Sequence, residues 1–158
     1  GADCGRRGWC ARGGWEGGGS RGGWSVLYVR EGKVRLVREC RYPSGEETLE
    51  IPAGKLDPGE DPAHTAAREL AEETGWEPAS VQHLYTIYPT PGYTNEKIYI
   101  YRAVGVREGH VHLDDGEYLT SAFFPLGKIG EMIERGEIRD PKTIGAVHRL
   151  LLERAKNN

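Results

Sequence analysis

Three glutamates on one predicted helix are the residues of this sequence best placed to bind a metal ion. Glu69 and Glu73 are four residues apart, and Glu72 follows Glu69 by three, so on a helix the three side chains border one face. Their mutual repulsion would weaken that helix unless a cation offset it. Carboxylate oxygens are the ligands that Mg²⁺ and Mn²⁺ prefer. The spacing therefore predicts a site for Mg²⁺ or Mn²⁺.

An ordinary solvated helix face is the second interpretation of these glutamates, and on the residues alone the two are evenly balanced. Arg68 stands four residues before Glu72 and is placed to orient its carboxylate. A glycine-containing turn at residues 56–60 precedes the helix, and Thr90-Pro91-Gly92 forms another turn downstream. Glycine lets the backbone approach a ligand closely. The two turns favour a binding site.

The helix that carries these glutamates has clear start and stop signals. Asp61 is a typical N-cap residue and Pro62 suits the first helical position. Gly75 is a typical C-terminal stop, so the helix should end at about Thr74. Asp140-Pro141 opens another helix, over about residues 142–156, after one over about 126–135.

The remaining segments read as strands. Alternation predicts a hairpin of residues 25–30 and 33–40 around Glu31-Gly32, followed by strands at 47–51, 81–88, 97–106 and 118–124. Strands and helices in this order indicate an α/β (α+β) fold, with a mixed β-sheet sandwiched between helices.

Composition limits the classes of function. The chain has 158 residues, 37% hydrophobic and 28% charged, with a formal net charge of −3, which fits one domain without global attraction to nucleic acid or membrane. No apolar run is long enough to span a membrane, and no signal peptide is visible. Three cysteines without zinc-like spacing argue against a zinc or disulfide framework and favour a cytoplasmic location.

Residues 1–23 differ from the rest, with ten glycines and four arginines. Such a segment buries too little apolar surface to fold, so we expect a disordered or artificial tail, followed by one domain at 24–158. The alternative is an RNA-binding tail with Trp9, Trp15 and Trp24 as stacking groups.

The segment from Gly54 to Trp76 resembles the Nudix box. Its pattern is Gly, five residues, Glu, seven residues, Arg-Glu-aliphatic-any-Glu-Glu-any-Gly, then an aliphatic residue. The fixed positions are all matched, by Gly54, Glu60, Arg68, Glu69, Leu70, Glu72, Glu73 and Gly75. Trp76 replaces the final aliphatic residue. The resemblance extends from about Trp24 to the C-terminus and implies a Nudix-like fold and pyrophosphate hydrolysis.

Residues around the box resemble those of ADP-ribose pyrophosphatases, which cleave ADP-ribose to AMP and ribose 5-phosphate. These enzymes tend to carry a proline sixteen residues after the box, and here 91 − 75 = 16. By this similarity Arg41 contacts phosphate, while Pro91, Gly92 and Glu96 shape the ribose side. An ordinary turn is the alternative for Pro91-Gly92.

The same resemblance implies how the metal is held. Glu69, Glu73 and the backbone carbonyl of Ala53 are its ligands, and Glu117 is an additional acid at the site. The catalytic base is Asp115 or Glu72, although a solvated acidic turn is an equal interpretation of Asp115.

Other substrates and roles remain open at this point. NADH, nucleoside diphosphate sugars and oxidised nucleoside triphosphates suit the same chemistry. A Nudix-like sensor that binds without hydrolysis belongs to a different class, but sensors are expected to lose glutamates that this box retains. The partner is then a small nucleotide, with neither nucleic acid nor membrane. Because related enzymes are commonly dimers that stack an aromatic residue on adenine, the resemblance allows for a homodimer, with Trp15 or Trp24 as the stacking residue.

Overall fold

The computed structural model describes residues 21–41, 43–109 and 120–158. These residues form three helices and ten strands. The helices are α1 (Pro62–Thr74), α2 (Leu126–Glu134) and α3 (Pro141–Lys156). The strands are β1 (Gly23–Leu27), β2 (Val29–Arg30), β3 (Lys33–Arg41), β4 (Glu46–Glu50), β5 (Ala53–Lys55), β6 (Trp76–Glu77), β7 (Ser80–Ile87), β8 (Ile98–Val104), β9 (Arg107–Glu108) and β10 (Ser121–Pro125).

The strands are divided among three sheets in the described part of the chain. One contains β5, β1, β8 and β7 in that order, with β1 parallel to β8 and the other pairs antiparallel. In the second, β3 lies between β10 and β2 and also pairs with β4. The third contains only β6 and β9. The mixed sheet and the α+β class are confirmed, whereas the short strands β5, β6 and β9 were not predicted.

Helices cover both faces of the first sheet, because successive residues of its strands point to opposite faces and both sets are apolar. On one face Trp24 and Val26 of β1 pack with Ala66 and Leu70 of α1. On the other face Leu27 packs in a second cluster, whose helical members are Leu126 and Ile129 of α2 and Ala146, Val147 and Leu150 of α3. The prediction of a sheet between helices is therefore confirmed.

The predicted strand at 25–30 is wrong in one respect, since it contains two strands that belong to different sheets. β1 pairs with β5 and β8, whereas β2 pairs with β3 across Glu31 and Gly32. Both turn residues have positive φ, 50° and 71°, as a two-residue type I′ hairpin requires. The turn was predicted correctly. The division before Val29 depends on sheet pairing, which a single run of alternating residues does not reveal.

One cysteine departs from expectation. Cys40, on β3, is disulfide-bonded, so the expectation against disulfides is wrong at this residue, because an odd number of cysteines still allows one pair.

Candidate active site

Local signals position the glutamates of α1 as the sequence predicted. The Asp61 side chain accepts a hydrogen bond from the backbone N–H of His64 at 3.2 Å, and Pro62 is the first helical residue. Gly75 ends the helix with a φ of 72°, and its N–H donates to the Ala71 carbonyl. The left-handed conformation favours glycine there. The predicted limits of the helix are confirmed.

Arg68 lies among three carboxylates of the box. Its Nη1 donates to both oxygens of Glu72, at 3.0 and 3.3 Å. Its Nη2 lies 3.3 Å from Glu69 Oε1 and 3.5 Å from Glu60 Oε1. The hydrogen bond to Glu72 is the main reason that the pKa of Arg68 is raised. The guanidinium thus orients Glu72, as its spacing predicted, and also links it to Glu60 and Glu69.

Glu69 makes a second contact, which the sequence did not predict. Its Oε2 accepts a hydrogen bond from the indole Nε1 of Trp24 at 2.8 Å, across 45 residues of chain. Trp24 is 0% exposed, so its interpretation as a stacking group for RNA or adenine is wrong. The alternating apolar residues 24, 26 and 28 were the one signal for its burial, and nothing local pointed to Glu69.

Ala53 and Glu73 lie on neighbouring elements. Ala53 begins β5, which pairs with Ser25 of β1 and packs against α1. Glu73 is half-buried on α1, one turn after Glu69. The structure therefore places the strand of the Ala53 carbonyl beside the helix of the glutamates.

A cleft of about 340 Å³ adjoins the start of α1. Its walls are Arg21 and Gly22, the box turn with Glu60 and Pro62, and the segment entering β8, and its lining residues include Leu56, Asp57, Pro58, Asn95, Lys97 and Tyr99. Glu60 connects the cleft to Arg68 and so to the glutamates of α1. This volume is within the range of small-molecule sites.

The Pro91-Gly92 segment forms the predicted turn between β7 and β8. The N–H groups of Tyr93 and Thr94 both donate to the Thr90 carbonyl, at 3.0 and 3.1 Å, and both Pro91 and Gly92 are exposed. Glu96 is half-buried between Asn95 and Lys97, which line the cleft. The turn therefore lies next to the cleft wall, and the roles of Pro91, Gly92 and Glu96 stay predictions.

Arg41 is held by a buried carboxylate. Its Nε and Nη2 donate to the two oxygens of Glu50 at 2.8 and 2.5 Å. The Glu50 side chain is 3% exposed and also contacts Thr48 and Lys142. Burial raises the pKa of Glu50, but the hydrogen bonds from Arg41 and Thr48 and the charge of Lys142 outweigh it, so the net pKa is lowered. Glu50, which precedes Ala53 by three residues, thus holds the Arg41 side chain in place.

We expect Glu50→Gln to lower the free energy of unfolding by about 2 kcal/mol at pH 7, because charged hydrogen bonds to Arg41 are lost. Because the pKa of Glu50 is lowered in the folded state, its ionised form stabilises the protein at pH values above the ordinary pKa of 4.5. This stabilisation disappears as the pH falls through the pKa of the folded state. The difference in the free energy of unfolding between wild type and variant should therefore become smaller below about pH 4.5. Urea unfolding from pH 7 to pH 3 measures it.

Glu47→Gln is the matched control, on the same strand. The Arg38–Glu47 pair is solvent-exposed at 2.9 Å, and exposed pairs contribute little. If the loss of unfolding free energy in Glu50→Gln does not change with pH, the ionised Glu50 carboxylate is not what stabilises the fold.

Two predicted site residues, Asp115 and Glu117, lie outside the described residues. Their roles as base and metal-site acid stay predictions.

A protein-family model described as NUDIX domain matches residues 20–146. This match includes β1, the box and the cleft residues from Arg21 to Tyr99. The chain belongs to the Nudix family.

Two curated bacterial proteins extend this match. The ADP-ribose pyrophosphatase of Bacillus subtilis is 36% identical over 134 residues, covering 83% of this chain and 72% of that protein. The methanol dehydrogenase activator of Bacillus methanolicus is 37% identical over 132 residues, covering 82% of this chain and 71% of that one. The chain is a Nudix pyrophosphohydrolase that acts on nucleoside diphosphate derivatives.

A solved structure supports the fold alone. The crystal structure of an ADP compounds hydrolase superposes with a TM-score of 0.75 at 24% sequence identity, over 87% of this chain and 74% of that one. The Nudix-like arrangement of sheet and helices is confirmed.

Nudix hydrolases generally depend on a divalent metal, and the donor atoms of this chain fit one. Within the described residues, no group of three or more His, Cys, Asp or Glu side chains is arranged to hold an ion by itself. Mg²⁺ is usually bound by one or two carboxylates together with water and substrate phosphates, so such a group is not required. Glu69, with a side chain 24% exposed, presents hard oxygen atoms of the required type.

As for membranes, no helix in the described parts of this Nudix chain has both the length and the apolar composition to cross one.

Proposed function

We propose that this Nudix enzyme hydrolyses ADP-ribose to AMP and ribose 5-phosphate with the help of Mg²⁺ or Mn²⁺. The observation that carries the proposal is the cleft, which joins the segment before β8 to the acidic turn that precedes α1. Glu60 of the box and the two chain neighbours of Glu96, Asn95 and Lys97, therefore line the same cleft. The similarity to the Bacillus subtilis ADP-ribose pyrophosphatase supports the choice of substrate.

The charges around the cleft suit a nucleotide with a pyrophosphate. Arg21 and Lys97 bring positive charge to its walls, where phosphate oxygens are stabilised. Lys97 Nζ lies 5.6 Å from the centre of the Tyr88 ring, and Arg21 lies 3.5 Å from Asp57. Asp57 and Glu60 add negative charge on the box side, and Arg68 links Glu60 to Glu69, a proposed metal ligand.

Glu69, Glu73 and the Ala53 carbonyl would hold the metal, with Glu117 as a further acid. When bound, the metal supplies positive charge for the pyrophosphate oxygens and helps to activate the attacking water. Glu72 and Asp115 are the two candidates for the base that accepts the proton of that water. Arg68 keeps the Glu72 carboxylate oriented through both oxygens.

Arg41, Pro91, Gly92 and Glu96 are proposed to contact substrate. Glu50 supports this role for Arg41, because a guanidinium held by two hydrogen bonds is already oriented before substrate binds. Asn95 and Lys97 support the role of Glu96, since both neighbours line the cleft.

Product analysis tests the proposal. The purified protein is incubated with Mg²⁺ and, separately, with ADP-ribose, NADH, GDP-mannose and an oxidised nucleoside triphosphate, and Glu73→Gln is assayed in parallel. We expect AMP and ribose 5-phosphate from ADP-ribose, and loss of this activity in the variant. Faster turnover of another compound would overturn the substrate while keeping the Nudix chemistry. Turnover that Glu73→Gln leaves unchanged would overturn the role of Glu73.

A further inference from the structure

The Trp24–Glu69 hydrogen bond joins the core of the sheet to the proposed metal site. Trp24 lies on β1, which is bonded on one side to β5 and on the other to β8. Its ring is fully buried, yet its Nε1–H reaches Glu69 Oε2 at 2.8 Å. A buried indole N–H needs an acceptor, and an ionised carboxylate is a strong one. This contact fixes one end of the Glu69 side chain.

Gly54 packs closely against the Trp24 indole. A Cβ at position 54 would lie 2.6 Å from Trp24 Nε1 and 2.7 Å from two ring carbons, closer than atoms can approach. The ring therefore packs closely against Gly54, the residue after Ala53. Through one side chain, β5 and α1 are held at a defined separation, and these are the elements that carry the Ala53 carbonyl and Glu69.

We propose that Trp24 is a positioning residue for the metal ligand Glu69. The inference rests on the proposed function, in which Glu69 binds the metal. A glutamate side chain has three rotatable bonds, and a free one must lose that freedom when it binds an ion. Because Trp24 and Arg68 each hold one oxygen of Glu69, the carboxylate is oriented in advance. Partners that orient metal ligands typically change metal affinity 10–100-fold.

Trp24→Phe tests this, because phenylalanine keeps an aromatic ring in the core and removes only the donor and the second ring. Mn²⁺ binding to the protein without substrate is measured by electron paramagnetic resonance of the free ion. We expect the Kd for Mn²⁺ to rise about tenfold. The double variant with Glu69→Ala should bind no more weakly than Glu69→Ala alone, since alanine leaves no oxygen for Trp24 to orient.

A second variant covers the case in which Trp24→Phe fails to fold. Benzothienylalanine at position 24 has nearly the shape of tryptophan but lacks the N–H group, so it should weaken Mn²⁺ binding with little change in Tm. A Kd equal to that of wild type in this variant would overturn the inference. So would an additional loss in the double variant.

The failure of the proposed function gives a different result. If Glu69→Gln binds Mn²⁺ as tightly as wild type, Glu69 is not a ligand and the proposed site is wrong. If Glu69→Gln loses binding while both changes at position 24 have no effect, only the role of Trp24 is wrong.

Discussion

Glu69→Gln is expected to lower kcat for pyrophosphate hydrolysis by about a hundredfold to a thousandfold, or about 3–4 kcal/mol of transition-state stabilisation. Glutamine retains the volume of glutamate and an oxygen that can accept from Trp24. It removes the negative charge that the proposed metal requires. Steady-state assays use the compound that the product analysis shows to be turned over, at saturating Mg²⁺.

Glu134→Gln is the control for this charge change. Glu134 is exposed at the end of α2, and the same change there should leave kcat within about twofold, since isolated exposed charges contribute little. A Glu69→Gln enzyme with more than about a tenth of wild-type kcat would contradict the proposed role of Glu69.

Gly54→Ala is expected to destabilise the protein by about 1–3 kcal/mol, the usual cost of overpacking a core. The new Cβ would lie 2.6 Å from Nε1 of Trp24, which is fully buried between two strands and α1. Since the ring cannot move into solvent, the backbone of β5 must shift. Urea unfolding measures the loss, and Mn²⁺ affinity should fall with it because Ala53 and Trp24 are both displaced.

Gly127→Ala is the matched control, with the opposite expected sign. No atom lies within 4 Å of a Cβ at this position in α2, and alanine favours the helix over glycine by about 0.5–1 kcal/mol. Equal effects of the two substitutions would contradict the clash between position 54 and Trp24.

The helix of the candidate site was predictable because its determinants are local. The capping bond from Asp61 spans three residues, Pro62 fixes its own φ, and Gly75 adopts the left-handed conformation without a Cβ penalty. The contact of Arg68 with Glu72 spans one helical turn. Each of these signals lies within a few residues of what it determines, so the sequence alone located the glutamates and their shared face.

The partners of those residues were decided by the tertiary structure. Glu69 meets Trp24 across 45 residues, and the cleft combines segments around residues 21, 57 and 97. Arg41 reaches Glu50 along the paired strands β3 and β4, although the register sets these residues opposite Glu46 and Val37. Alternating residues from 24 to 30 did not reveal that β1 and β2 enter different sheets. Such contacts depend on how all the strands and helices bury their apolar faces together, and no single segment carries that information.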